Sequence, residues 1–259
     1  LKIEKDNSVQ AVKRALKIIE LLGRSREEWG VTDIGRELGL HKSTIYRLLS
    51  TMSEEGFVEQ SDTGKYQLGT KILEIGGRML NNIEIRKVAM PFLLELSKYV
   101  GETVHLVVLH EGEGIYVDKV EAENVIRMHS TIGARVKLHC SGVGKSILAH
   151  LPPQEVQEII RKHGLTKITD NTIITYEALM ADLAKVRKLG YALDNEENEY
   201  GIRCVAGPIL DYRQRPVAAL SVSGPTMRMT LEKVEEIGAQ VVKTALLISR
   251  RMGYTADKF

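Results

Sequence analysis

Residues Leu38 to Leu49 read LGLHKSTIYRLL, and the parsing of this stretch decides the fold of the first part of the chain. Ile45, Leu48, Leu49 and Met52 recur at i, i+3, i+4 and i+7, the apolar face of a helix. The opposite face carries Lys42, Ser43, Thr44, Tyr46 and Arg47 instead of an ordinary Glu/Lys mixture. Just upstream, Gly39 tolerates left-handed backbone and stops a short helix that bears Ile34 and Leu38, with Thr32 as its expected cap. Before that, Ser8 is placed to cap a helix whose Val12, Ala15, Leu16, Ile19 and Leu22 share a face, ending near Gly23. Downstream, Gly56 closes the third helix, and Phe57–Gln60 and Lys65–Leu68 flank the turn Ser61-Asp62-Thr63-Gly64, which predicts a hairpin. Three short helices, a tight link between the second and third, and a hairpin predict a winged helix-turn-helix.

In such a unit the second helix of the motif enters the major groove with its N-terminal residues at the base edges. Lys42, Ser43, Thr44, Tyr46 and Arg47 occupy that end and are the candidate DNA contacts, with Lys65 at the wing tip as a candidate phosphate contact. Glu54 and Glu55 fall at the far end, away from a polyanion. The net charge is only +2, so local clustering and not global basicity carries this reading. A winged helix that docks on protein has the same elements and stays open as an alternative.

With 259 residues, 43% hydrophobic and 27% charged, the chain suits one large domain or two ordinary ones. Its two cysteines, Cys140 and Cys204, form no CxxC pair, as expected of a reduced cytoplasmic protein. Neither a membrane-spanning run nor a signal-peptide pattern is visible, so a cytoplasmic location with no membrane partner is expected. A helical pattern over Thr70 to Ile83 (Ile72, Gly76, Met79, Leu80, Ile83) reads as a linker helix whose stripe packs on a second copy of the chain. The expected organisation is a DNA-binding winged helix over 1–69, the linker helix over 70–85 and an α+β sensor-like domain over 86–259. In that last domain helices are expected over 86–99, 143–151, 153–162, 176–189 and 230–252. Strands are expected over 103–111, 115–121, 191–194, 204–210 and 217–223, the first two joined by Gly112-Glu113-Gly114.

The stretch His139 to His150, HCSGVGKSILAH, contains Gly-Lys-Ser but is not a P-loop, because the first glycine of that motif would fall at position 139, which is His. Ser141-Gly142-Val143 instead opens a helix, and free amides there suit a carboxylate; an ordinary glycine turn is the alternative. Ser221 and Ser223 project to one face of a strand, Cys204 can line the same pocket, and Asp194 can accept hydrogen bonds from ligand hydroxyls. Equally, Cys204 can be a small buried hydrophobe and the serines can face solvent. A Cys204–His–Asp194 nucleophilic triad can be written, yet no local feature activates the thiol. A metal site from His129, His139, Cys140 and Cys204 lacks ligand spacing, so no catalytic residue, metal or cofactor is expected.

Taken together, SVQAVKRALKIIELL, DIGRELGLHKSTIYRLLSTMSEEGFVEQ, GETVHLVVL, SGVGKSILA, GYALDNEENEYGIRCVAGPI and AALSVSGP, in this order, resemble the IclR-type bacterial transcriptional regulators over nearly the whole chain. The resemblance implies a winged helix, a linker helix and a GAF/PAS-like effector-binding domain, in a homodimer or dimer of dimers on palindromic operator DNA. It also implies a ligand-responsive repressor or activator of catabolic genes with a small-carboxylate effector. The implied effector site is the backbone at Gly142 and Val143 with the side chains of Asp194, Cys204, Ser221 and Ser223, walled by Val125, Met128 and Ile202. The phrase DNEENEYGIRCVAGPI looks most like members that respond to sugar acids such as 2-keto-3-deoxygluconate. Two departures stand out: His41 where proline is frequent, and the acidic run Asn195 to Tyr200 beside a pocket for an anion. An enzyme acting on a small carboxylate at the same pocket is the competing reading.

Overall fold

The computed structural model describes residues 9–24, 28–82, 84–122 and 130–255, with the backbone alone for 77–82 and 84. The chain separates after Asn82 into two compact units. In the first, α1 (Gln10–Gly23), α2 (Val31–Leu38) and α3 (Lys42–Glu54) precede the antiparallel pair β1 (Val58–Gln60) and β2 (Tyr66–Leu68), and α4 (Thr70–Asn82) follows. Ile18, Leu21, Leu22, Ile34, Ile45, Leu49, Met52, Val58 and Tyr66 make its core. Gly39 at φ 65° lets the chain reverse between α2 and α3.

Two local expectations are corrected here. Thr32 lies inside α2, which is preceded by Gly30 in extended backbone and has no side-chain cap. The proposed cap Ser8 lies outside the described residues. His41 adopts φ −64° and ψ 143°, the backbone a proline would adopt, so the departure at this position leaves the approach to α3 unaltered.

The second unit is built on a six-stranded antiparallel sheet ordered β5-β4-β3-β8-β7-β6. Its strands are β3 (Thr103–His110), β4 (Glu113–Val120), β5 (Arg135–Val136), β6 (Ala192–Asn195), β7 (Ile202–Leu210) and β8 (Pro216–Pro225). The turn between β3 and β4 is Glu111-Gly112, both at positive φ, and Glu113 and Gly114 belong to β4 instead of to the connection. One face packs on α5 (Glu84–Val100) and α9 (Leu231–Arg251) through Val104, Leu106, Val205, Leu220 and Val222. The other carries α6 (Gly142–Leu148), α7 (Pro153–His163) and α8 (Tyr176–Leu189) over Val107, Ala192, Ala206 and Ala219. Among the described residues no helix is long and apolar enough to cross a membrane.

The close seat of α6 is what shapes this second face. A Cβ on Gly142 would lie 3.2 Å from the Ala206 side chain, and one on Gly144 would lie 2.2 Å from the Leu138 Cα. Replacing Gly144 by Ala therefore forces backbone apart and is expected to destabilise the second unit by about 1–3 kcal/mol or more, measured as a shift in denaturant midpoint at unchanged slope.

Candidate functional site

The first unit presents the polar face of α3. Lys42, Ser43, Tyr46 and Arg47 are exposed and Thr44 is half-buried, while Ile45 and Leu49 anchor the other side. Tyr46 is 60% exposed, unusual for a large ring that could have joined the adjacent core. The wing is braced from outside itself: Glu28 accepts hydrogen bonds from Ser61 Oγ (2.9 Å) and Thr63 Oγ1 (2.8 Å). Those bonds hold the Glu28 carboxyl below its ordinary range. Trp29 and Tyr66 exchange two backbone hydrogen bonds, which adds a third short segment beside the hairpin. Lys65 is exposed next to Gly64 in the turn.

In the second unit strand alternation sorts β8 into two sides. Leu220 and Val222 enter the core with α5 and α9, whereas Ser221 and Ser223 face the opposite way and are buried. Register then aligns polar groups across the sheet: Asp194 opposite Cys204, Cys204 opposite Ser223, and Ser221 opposite His105. With Gly142 and Val143 of α6 above them, these residues line a cavity of about 60 Å³. Gly142, Val143, Asp194, Ile202, Cys204, Ser221 and Ser223 are thus brought together, while Val125 and Met128 lie outside the described residues. His105, Tyr116 and Ser130, which sequence reasoning had not singled out, also line it, together with Ser141 from the start of α6 and Asn198 and Glu199 of the acidic run.

The groups in this cavity are held firmly. Asp194 Oδ1 accepts from the backbone N–H of Glu197 (2.8 Å) and of Asn198 (3.4 Å). Burial raises its carboxyl and those amides pull it back only in part, leaving it at about 7. His105 is buried, which pushes its imidazole down to about 4, so it is neutral. Its Nε2 lies 2.7 Å from Ser130 Oγ, and its ring meets Tyr116 edge-on at 5.3 Å. Burial holds the Cys204 thiol well above its ordinary value and Cys140 up to about 12, so neither is an activated nucleophile. Among the described residues no cluster of histidine, cysteine and carboxylate side chains can hold a metal ion, and His129 lies outside them.

Lys145, the lysine of the Gly-Lys-Ser stretch, is 1% exposed and points away from any phosphate-binding role. Its Nζ donates to Glu197 Oε1 (2.5 Å) and lies 2.9 Å from Asp182 Oδ2. Burial disfavours its charge, but the two carboxylates outweigh that and keep it protonated. The acidic run is thereby sorted: Glu197 is buried against Lys145, Glu196 accepts from the Gly201 N–H, and Glu199 faces the cavity.

The comparisons with known proteins agree with this architecture. The family model for the IclR helix-turn-helix domain matches residues 11–62, and that for the bacterial transcriptional regulator IclR C-terminal domain matches residues 77–250. The chain belongs to the IclR family of bacterial transcriptional regulators. It is therefore a regulator that binds DNA and a small-molecule effector, not an enzyme. The HTH-type transcriptional regulator XynR of Escherichia coli K12 is 39% identical over 249 residues, covering 96% of this chain and 99% of that protein. The crystal structure of Thermotoga maritima IclR superposes with a TM-score of 0.81 at 38% identity, over 95% of this chain and 99% of that one. An IclR homolog from Microbacterium hydrocarbonoxydans, crystallised with 4-hydroxybenzoate, gives a TM-score of 0.80 at 26% identity, over 94% and 99% of the two chains.

Two measurements test the site's construction. Lys145→Ala strands two carboxylates beside the cavity and is expected to destabilise by about 3–5 kcal/mol in chemical denaturation. For His105, a folded-state pKa below the unfolded value means its contribution is complete above pH ~6.5 and is lost as pH falls toward 4. His105→Gln should therefore lose less thermal stability than wild type between pH 7 and pH 4.5.

Proposed function

We propose that the first unit reads operator DNA through Lys42, Ser43, Thr44, Tyr46 and Arg47, with Lys65 on a flanking phosphate, and that the cavity of the second unit binds a small hydroxy- or keto-carboxylate effector. The observation that carries the effector half is the row of buried polar groups on one sheet face. Ser221, Ser223, His105 and Asp194, all buried, border one small space with the half-buried Tyr116 and with Asn198 of the loop after β6, and buried polar groups are kept where something polar meets them. The first amides of α6, at Gly142 and Val143, have no acceptor within the helix and are suited to carboxylate oxygens. Hydroxyl-bearing side chains opposite them match ligand hydroxyls, which is where a sugar acid such as 2-keto-3-deoxygluconate fits the chemistry. At about 60 Å³ the cavity is smaller than the ~150 Å³ space that accepts a benzene ring, so by size a two- or three-carbon keto acid such as glyoxylate or pyruvate suits it better than either an aromatic acid or a six-carbon sugar acid.

The active form is a homodimer or dimer of dimers on a palindromic site. Leu73 and Ile75 of α4 are 76% and 46% exposed, and a second copy is what would cover them. Met79, Leu80 and Ile83 of the expected stripe lie outside the described side chains. An effector that prefers one placement of the DNA-reading units shifts operator affinity by the difference, commonly about 1–3 kcal/mol.

Binding to DNA upstream of the chain's own and neighbouring genes, followed by fluorescence anisotropy across a salt series, tests this reading. Arg47→Ala is expected to weaken selective binding by about 1–3 kcal/mol, and Lys65→Ala to lower the log–log salt slope by about one. Titration with glyoxylate, pyruvate, 2-keto-3-deoxygluconate and 4-hydroxybenzoate should change that affinity for one short-chain or sugar acid. Selective DNA binding indifferent to every acid would remove the carboxylate from the proposal.

A further inference from the structure

In the first unit a carboxylate, Glu28, lies against the wing turn of a domain that reads a polyanion. Its Oε2 accepts from both hydroxyls of that turn, Ser61 Oγ (2.9 Å) and Thr63 Oγ1 (2.8 Å). The bonds from Thr63 and Ser61, and after them the nearby Lys65 ammonium, hold the carboxyl below its ordinary range and so keep it charged. Hydroxyl bonds do not cancel that charge, which repels any phosphate the wing approaches. What the bonds do for the wing has to offset the repulsion.

A two-stranded hairpin with strands of three residues is marginal on its own. Its turn is closed by the Ser61 N–H to the Lys65 carbonyl (2.8 Å), the Gly64 N–H to the Ser61 carbonyl (2.9 Å) and Gln60 Nε2 to the Gly64 carbonyl (3.0 Å). None of these three bonds leaves the hairpin, so they fix its shape and not its direction. Val58 and Tyr66 tie its base into the core, whereas near the tip the ties come from residues 28 and 29. Trp29 exchanges backbone hydrogen bonds with Tyr66 (2.9 and 2.8 Å) on one side of Lys65, and Glu28 holds Ser61 and Thr63 on the other. Because Tyr66 is buried, its strand neighbour Lys65 projects outward. Among the described residues no carboxylate lies within ion-pair distance of Lys65, which leaves its ammonium available to a phosphate.

We infer that Glu28 is the positioning residue of the wing: it aims the turn so that Lys65 meets a DNA phosphate, and it does so through its hydrogen-bonding oxygen, against the effect of its own charge. The inference rests on the reading of Lys65 as a phosphate contact. Since one oxygen takes both bonds, a glutamine amide oxygen can take them as well, and substitution separates the bonds from the charge.

The test is fluorescence anisotropy of the full chain on a duplex from upstream of its own gene, across a salt series, with a mixed-sequence duplex of equal length as reference. Glu28→Ala is expected to lower the log–log salt slope by up to about one, as Lys65→Ala does, and to lower it no further in the Lys65→Ala background. Glu28→Gln is expected to keep the wild-type slope and to bind at least as tightly as wild type. Thr63→Val, which removes one of the two bonds at an exposed position, is expected to fall between wild type and Glu28→Ala, and it carries the test should Glu28→Ala unfold. Equal gains of affinity in Glu28→Ala and Glu28→Gln, at an unreduced slope, would make Glu28 a repelling charge only and overturn the inference. A lowered thermal midpoint in Glu28→Ala with the wild-type slope assigns Glu28 to stability alone and overturns it as well. A slope that falls in Lys65→Ala but in neither Glu28→Ala nor Thr63→Val overturns the inference and spares the phosphate contact. An unchanged slope in Lys65→Ala, or no DNA binding by wild type, overturns the reading on which the inference rests.

Discussion

Lys145 is the side chain on which the second unit's functional face depends. A lysine ammonium buried to 1% exposure is tolerable only with charged partners, and they must come from elsewhere in the chain. Asp182 of α8 and Glu197 of the loop after β6 supply them, so one cation ties together three segments remote in sequence. That loop also carries Asn198 and Glu199, and Thr169 and Thr172 secure it further by donating to the carbonyls of Glu196 and Glu197. Removing the lysine would therefore loosen the cavity wall as well as leave buried charge uncompensated. Among the described residues, hydroxyls, a thiol, an imidazole and carboxyls line the cavity.

The sheet enforces the rest by simple alternation. Each strand sends one set of side chains toward α5 and α9 and the other toward α6, α7 and α8. On the first side Val104, Leu106, Val205, Leu220 and Val222 form a dry core. Across from them His105, Ser221 and Ser223 are buried and Cys204 is half-buried, yet all are polar. Antiparallel pairing sets these residues side by side, and Gly142 lets the start of α6 come down onto the row at Cys204 and Ala206. Both faces carry an apolar core, and the polar row occupies one part of the second face, beside the packing of α6, α7 and α8.

The first unit divides the same tasks between two sides of a single helix. Ile45, Leu49 and Met52 hold α3 to its small core, so that Lys42, Ser43, Tyr46 and Arg47 are presented on a rigid support. Glu28 and the Trp29–Tyr66 bridge make the wing part of that support. A reading surface on an element whose geometry is fixed by packing is what selective contact with base edges requires.

Most of this architecture was legible in local pattern. Helical spacing of apolar residues, Gly39 and Gly64 at positive φ, and the Ser221/Ser223 alternation depend on neighbours within a few positions, and a linear sequence displays those directly. The long-range groups were not legible. His105 sits in an apolar strand and reads as core until the pairing of β3 with β8 puts it beside Ser221. Lys145 has no role readable from its stretch once the P-loop is excluded, and gains one only when Asp182 and Glu197 are seen around it, while the Glu111-Gly112 turn shows where β4 begins only once its partners are known. Sequence alone determined that this chain carries a winged helix-turn-helix and an α+β domain with a polar strand face, because periodicity and turn chemistry are local properties. Only the tertiary structure decided which polar groups meet in one cavity, which cation is spent on structure and which carboxyl is left near neutrality, because register, burial and charge pairing join residues that the chain keeps far apart.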